Sequence, residues 1–549
     1  VTGPEIGGTS RRTFISLLGV GAAAAAGGAT LTGCSDGASG SSTAGRAETE
    51  DKLAGLLPKY IAYESVKPDL PGENGASPGF SHYPSELKRA VPEKMVPSGK
   101  EVTAMTPLWS PIPPLTGNSY FAANNERIGA PVKFNILNGN DYGDKLGPIL
   151  AAGNIPELLC IPGWNISSLT RFSQAADKLF EDLTPYLAGD KVSAYPMLAN
   201  LPTRAWAYGV WNSQLKAVPF PSDGFPWALF YRKDLLDQVG AEPPKTADDM
   251  LALGKQLTDA KAGRWAFGSV ADEMARAFGA PAGWRKDSSG KLVHKIETPE
   301  FAESVAFVRK LFQAGYVHPE VVGNSADEKA LFEGGKMLIR QDGLGGWNES
   351  LQRQLPTNPK FNPQPALPFA HDGGTPITWG GDPAGIFTFV KKGVGEERVK
   401  ELLGVLNYTA APFGTEEYQL YNYGVEGKHY VKQPSGAPKL TALGQKEVSQ
   451  TYIFLGGRPV AITQSEYPGY VQSMNAWQNA AAKVREKNLF DGIRVEQPAK
   501  MAALNQPFDD ALQDIFRGRR PVSELKTAVK QWQDNGGNEG RDFYAKVLS

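Results

Sequence analysis

The sequence predicts an α/β fold, and three observations carry the prediction. From Glu101 onward, short apolar runs alternate with helical patterns of about ten residues, the mark of a largely parallel sheet covered on both faces. At 549 residues the chain exceeds what one core can fill, so it divides into two or more domains. Hydrophobic residues at 41% and aromatic residues at 10% are sufficient to bury most of it.

The elements follow in order. "EVTAMTP" reads as a strand, "YFAANNERIG" as a helix, "PVKFNIL" as a strand and "YGDKLGPILAAG" as a helix. "ELLCI" is a short buried strand, and "SSLTRFSQAADKL" is a helix opened by a serine cap. After a helical, aromatic-rich connection (Leu183–Trp211), the strand "WALFYR" leads into "KDLLDQVG". Thr246 caps the next helix, with Asp249 three residues on, close to a capping box. A further helix is capped by Thr298, has Pro299 in its first turn, and ends at Gly315. Phe301, Val305, Val308 and Phe312 fall on one face of it. Strands "KMLIR" and "GIFTFV" precede a helical C-terminal third.

Composition removes several function classes. The formal net charge is −1, with no basic surplus to suggest a nucleic-acid partner. The cysteines are Cys34 and Cys160, and the five histidines are scattered. Neither H-E-x-x-H nor C-x-x-C occurs, so no metal site and no cofactor are expected. Cys160, among apolar strand residues, reads as an inert buried thiol.

Arg11 and Arg12 precede a weakly apolar segment from Phe14 to about Leu31, the pattern of an export signal over residues 1–33. Ser10-Arg11-Arg12-Thr13-Phe14-Ile15 resembles the twin-arginine motif. Leu31-Thr32-Gly33-Cys34 resembles the bacterial lipobox, which makes Cys34 the lipidated mature N-terminus and Ser35–Gly45 a flexible tether. The rest is then expected on the extracytoplasmic face of the membrane. Residues 34–97 read as the tether and an extended arm lying over the folded body. The arm holds a literal G-x-S-x-G (Gly75-Ala76-Ser77-Pro78-Gly79), but without the strand and helix a nucleophile elbow requires.

Six stretches in order, "AAGNIPELL", "FEDLTPYL", "AVPFPSDGFPWALFYRKDLLDQVG", "LFQAGYVHPE", "FEGGKMLIRQDGLGGW" and "YNYGVEGKHY", resemble family 1 extracellular solute-binding proteins. These are the receptors of carbohydrate ABC importers, and the resemblance is to their large lipid-anchored branch from Gram-positive bacteria. Glu157 departs from the Asp usual in the "IPD" turn of that family. The resemblance implies a two-lobed, periplasmic-binding-protein-like fold of type II, its discontinuous lobes joined by a hinge. Residues 98–222 plus 377–430 would form lobe 1, and 223–376 plus 431–549 lobe 2. It further implies a monomer that hands an oligosaccharide to permease subunits in the cytoplasmic membrane.

In open α/β sheets, ligands sit beyond the carboxyl ends of the strands. That rule selects Trp109, then Asn140 and Asp141, then Trp164 with Asn165, on successive loops. It also selects Asp223 and Phe225 at the first crossing, Asp342 and Trp347 in "QDGLGGW", and Trp379 and Asp382 in "TWGGD". Trp284 in "GWRK" is a further candidate, whereas Trp477 and Trp532 lie in helical patterns. Aromatic rings cover the C–H face of a pyranose, and carboxylates or amides pair with its hydroxyls. Trp347 aligns with a position that carries a stacking aromatic in many relatives. Two other functions fit parts of this pattern. A tethered glycoside hydrolase would use Asp342 and Asp382 as its two carboxylates, and a peptide receptor would share the length and the anchor.

Overall fold

The computed structural model describes residues 46–549, apart from 74, 167, 170, 226, 322–326 and 492. The export signal, Cys34 and the tether lie outside the described residues.

The first sheet has five strands in the order Val132–Asn138, Val102–Leu108, Leu158–Pro162, Ala384–Val390 and Ala217–Pro221. Val102–Leu108 runs parallel to both its neighbours, while Ala384–Val390 is antiparallel to both of its own. One strand of five is therefore reversed, and it arrives from far along the chain. Burial explains the sequence patterns. Leu158–Pro162 is buried throughout, as an inner strand covered on both faces must be. Val132–Asn138 lies at the edge and alternates between buried and exposed positions.

The second sheet has four strands, Pro363–Pro365, Trp227–Arg232, Met337–Gly343 and Trp265–Phe267. Trp227 stands opposite Gly343 in its antiparallel central pair. Each sheet carries its own core and forms one lobe. Leu108, Leu158, Leu402 and Tyr452 belong to the first core, and Leu229, Phe267, Phe301 and Ile515 to the second. Tyr430 and Tyr452–Leu455 are still in the first core, while Ile462, Tyr470 and Trp477 pack with Phe225 and Trp347 of the second lobe. The last passage between the two cores therefore lies between Leu455 and Ile462, and not at residue 430, where the resemblance put the boundary.

Local signals hold where caps were visible. Thr298 Oγ1 accepts from Phe301 N–H to start the Pro299–Gln313 helix, and Gly315 behind it has φ +72°. Thr246 accepts from Asp249 N–H in the same way. The predicted helix over 167–179 is shorter, Phe172–Leu179. Tight turns precede it, closed by Ser168 N–H on Asn165 O and Phe172 N–H on Leu169 O.

The arm segment begins with Arg46–Thr49, paired antiparallel to Ile493–Glu496. Leu53, Leu57, Val91 and Val96 then fill the first core. Between them the chain reaches the other lobe, where Asn475 Nδ2 donates to Pro71 O at 3.1 Å. Ser77 Oγ donates to Asp223 at 2.6 Å and its N–H to Gln478 at 2.6 Å. The serine of the G-x-S-x-G match thus fastens the arm to the first crossing.

Candidate functional site

The parallel strands of the first sheet end on one side, and their loops bring several of the expected residues together. The Trp109 and Trp164 rings lie 5.9 Å apart, and Phe454 meets Trp109 edge-on at 5.5 Å. Gly139 is required by this packing, because a Cβ there would stand 2.2 Å from the Trp109 ring. Asn140 and Asp141 follow it, both exposed. A Cβ on Gly143 would lie 2.6 Å from Asn165 Nδ2, and Asn165 Oδ1 is buried without a partner among the described residues. Trp164 remains 53% exposed.

The second lobe meets this group through Lys329. Its Nζ donates to Trp109 O at 3.4 Å and pairs with Glu349 at 2.6 Å. Asp342 feels the charge of Lys329 and forms an ion pair with Arg340, but burial still pushes its carboxyl up from the usual range. Beside it, at the register partner of Gly343, stands Trp227, 59% exposed. Trp227 is not among the residues that the strand-end rule selects. The signal was available, since it is the first residue of "WALFYR", directly after the first crossing, where the rule on strand-end loops drew attention to Phe225 instead.

Other expected residues lie elsewhere. Trp347 is only 2% exposed, in the first turn of the Gly345–Gln354 helix, with its ring against Phe230 and Tyr470. Phe225 is buried at 1%, edge-on to Trp477. The Asp223 carboxylate is taken up by Ser77 and Gln478. Trp284 packs among His294, Trp532 and Tyr544 in the second lobe. Trp379 donates its indole N–H to Ala280 O at 3.0 Å, with Lys295 over the ring. Asp382 is exposed beside Tyr208 and Arg494.

Ser119, His429 and Glu447 form a Ser–His–Glu set among the described residues, and its geometry is not that of a nucleophilic triad. Ser119 Oγ and Glu447 Oε2 both face His429 Nε2, at 2.9 and 3.2 Å, while His429 Nδ1 accepts from Val425 N–H at 2.9 Å. A triad needs the nucleophile and the carboxylate on opposite ring nitrogens. The Ser119 hydroxyl, then His429, hold the Glu447 carboxyl at about 2, below its usual 4.5. A lowered folded value stabilises above about pH 4.5 and is lost as pH falls toward 2. The thermal midpoint of Glu447→Gln is expected to fall less steeply than that of the parent chain across this window. Equal slopes would show that the pairing contributes nothing to acid sensitivity. Among the described residues, no group of three or more His, Cys, Asp or Glu could hold a metal ion, and no helix is long and apolar enough to cross a membrane.

Residues 115–407, more than half of the chain, match the family of bacterial extracellular solute-binding proteins. The chain belongs to that family. Two relatives of this solute-binding protein come from Bacillus subtilis (strain 168). The polygalacturonan/rhamnogalacturonan-binding protein YtcQ is 24% identical, over 72% of this chain and 81% of its own length. Lipoprotein LipO is 24% identical, over 80% and 90%. Among solved structures, the Streptococcus pneumoniae ABC-transporter substrate-binding protein FusA, an EF-hand mutant in complex with fructo-nystose, superposes with a TM-score of 0.58 at 14% identity. It covers 82% of this solute-binding protein and 99% of the FusA chain. The two sheets and two cores are thus those of a two-lobed solute-binding protein.

Proposed function

We propose that this solute-binding protein captures an oligosaccharide between its lobes and delivers it, as a monomer, to an ABC import permease. The observation that carries the reading is the aromatic set, exposed Trp164 with half-buried Trp109 on one lobe and exposed Trp227 on the other, beside Asn140, Asp141, Asp342 and Lys329. Such rings offer flat apolar faces, and the polar groups match a rim of hydroxyls. The chain crosses between lobes at 221–225, 375–383 and 456–461, and closure about these segments encloses the ligand and presents the permease with the loaded state. The relatives support the sugar class, since YtcQ is named for binding polygalacturonan and rhamnogalacturonan and the FusA structure holds fructo-nystose. LipO is named a lipoprotein, in keeping with an anchor at Cys34 that follows export by the twin-arginine route.

A thermal-shift screen against neutral oligosaccharides, acidic oligosaccharides and peptides tests the reading. A ligand at a hundred times its Kd adds about 2.7 kcal/mol of stability, so a cognate sugar is expected to raise Tm by several degrees. Stabilisation by peptides alone, or release of cleaved sugar during incubation, would overturn it.

A further inference from the structure

The third crossing leaves the first core after Leu455 and enters the second lobe at Ile462. Gly457 presses it against the first crossing: a Cβ there would stand 2.3 Å from Phe220 Cα and 2.5 Å from the Pro221 ring. The segment therefore runs where the lobes join, and its next residue is Arg458. The Arg458 guanidinium lies 5.3 Å from the Tyr418 ring centroid, beside the Tyr421 hydroxyl. Its Nη1 is closed off from solvent and has no hydrogen-bond partner among the described residues. Among those residues it also has no carboxylate in ion-pair contact. Asp223 feels its charge, but that carboxylate already accepts from Ser77 and Gln478.

Arg458 is half-buried, with Nη1 closed off from solvent, and a cation so placed gains from an anion on its open donors. A guanidinium presents a planar fork of donors that fits a carboxylate with two parallel hydrogen bonds. A second group just past the crossing, Glu466, accepts from the Tyr423 hydroxyl at 2.8 Å while its Oε2 is buried without a partner among the described residues. Burial lifts the Glu466 carboxyl to about 7, so at and below neutrality much of it is uncharged and does not cancel Arg458. The protonated form can donate to a ring hydroxyl.

Building on the receptor reading above, we infer that Arg458 receives the carboxylate of an acidic sugar, which makes uronate-bearing oligosaccharides the preferred ligand class. A neutral sugar would leave the guanidinium uncompensated as the lobes close over it. The same sugar with its carboxylate blocked would lose the charge-assisted pair while keeping every hydroxyl contact.

The test uses the full chain and isothermal titration with trimers of galacturonate, mannuronate and guluronate, each beside its methyl ester and a neutral hexose trimer. The acid form of at least one trimer is expected to bind at least about tenfold tighter than its ester. Arg458→Gln is expected to bring that ratio close to one, and Arg458→Lys to lower it while keeping part of it. If Arg458→Gln does not fold, the reduced ratio of Arg458→Lys carries the test. Equal or tighter binding of the esters, or a ratio unchanged in the variants, would overturn the inference. Binding of neutral trimers alone would overturn it and leave the receptor reading standing, whereas no sugar binding at all would remove both.

Discussion

Trp347→Ala is expected to destabilise the second lobe by about 3–5 kcal/mol, the usual cost of removing a large aromatic from a core. The ring is 2% exposed and packs edge-on against Tyr470 at 4.7 Å and Phe230 at 5.7 Å. The Gly345–Gln354 helix turns it inward, so the cavity left by alanine would lie among Phe230, Leu351 and Tyr470 and could close only partly. The indole Nε1 has no partner among the described residues, so part of the burial already works against stability. Trp347→Phe, which removes that unpaired donor and keeps most of the apolar area, is accordingly expected to cost far less. Urea unfolding followed by fluorescence measures both. An alanine variant as stable as the parent, with affinity lost instead, would mean that the ring contacts ligand and not the core.

Trp347 follows a Gly pair at a strand end, so alignment and the strand-end rule both pointed to a loop. The same glycines open a helix whose first turn faces the core. Sequence pattern carries the period of burial well, which is why Trp227–Arg232, Thr298–Gly315 and the inner strand Leu158–Pro162 were legible. It carries no information on which partner arrives from several hundred residues away. The bond from Ser77 to Asp223 spans 146 residues, and the reversed strand Ala384–Val390 enters the first sheet only after all four strands of the second sheet. Asp223 looked like a free carboxylate for the same reason. Trp109, Trp164 and their neighbouring Asn140 and Asp141 were legible because parallel strands deliver their loops to one side by topology alone.

Trp227→Ala and Trp164→Ala are each expected to weaken sugar binding by about tenfold or more while leaving unfolding of the free protein within about 0.5 kcal/mol of the parent chain. Both halves of the expectation come from exposure. With 59% and 53% of their surfaces in solvent, these rings contribute little to the unliganded fold. Covering one of them with a sugar face buries apolar area and makes contacts that exist only in the complex. The two sit on opposite lobes, so a ligand that touches both must wait for closure, and the double variant should lose roughly the product of the single effects unless closure itself fails. Additive losses in binding free energy would describe two independent platforms. A double variant no worse than either single one would mean that the rings act as one unit, each useful only when the other is engaged. Titration of the four proteins with one cognate oligosaccharide separates these outcomes, and unchanged affinity in both single variants would remove the aromatic set from the site.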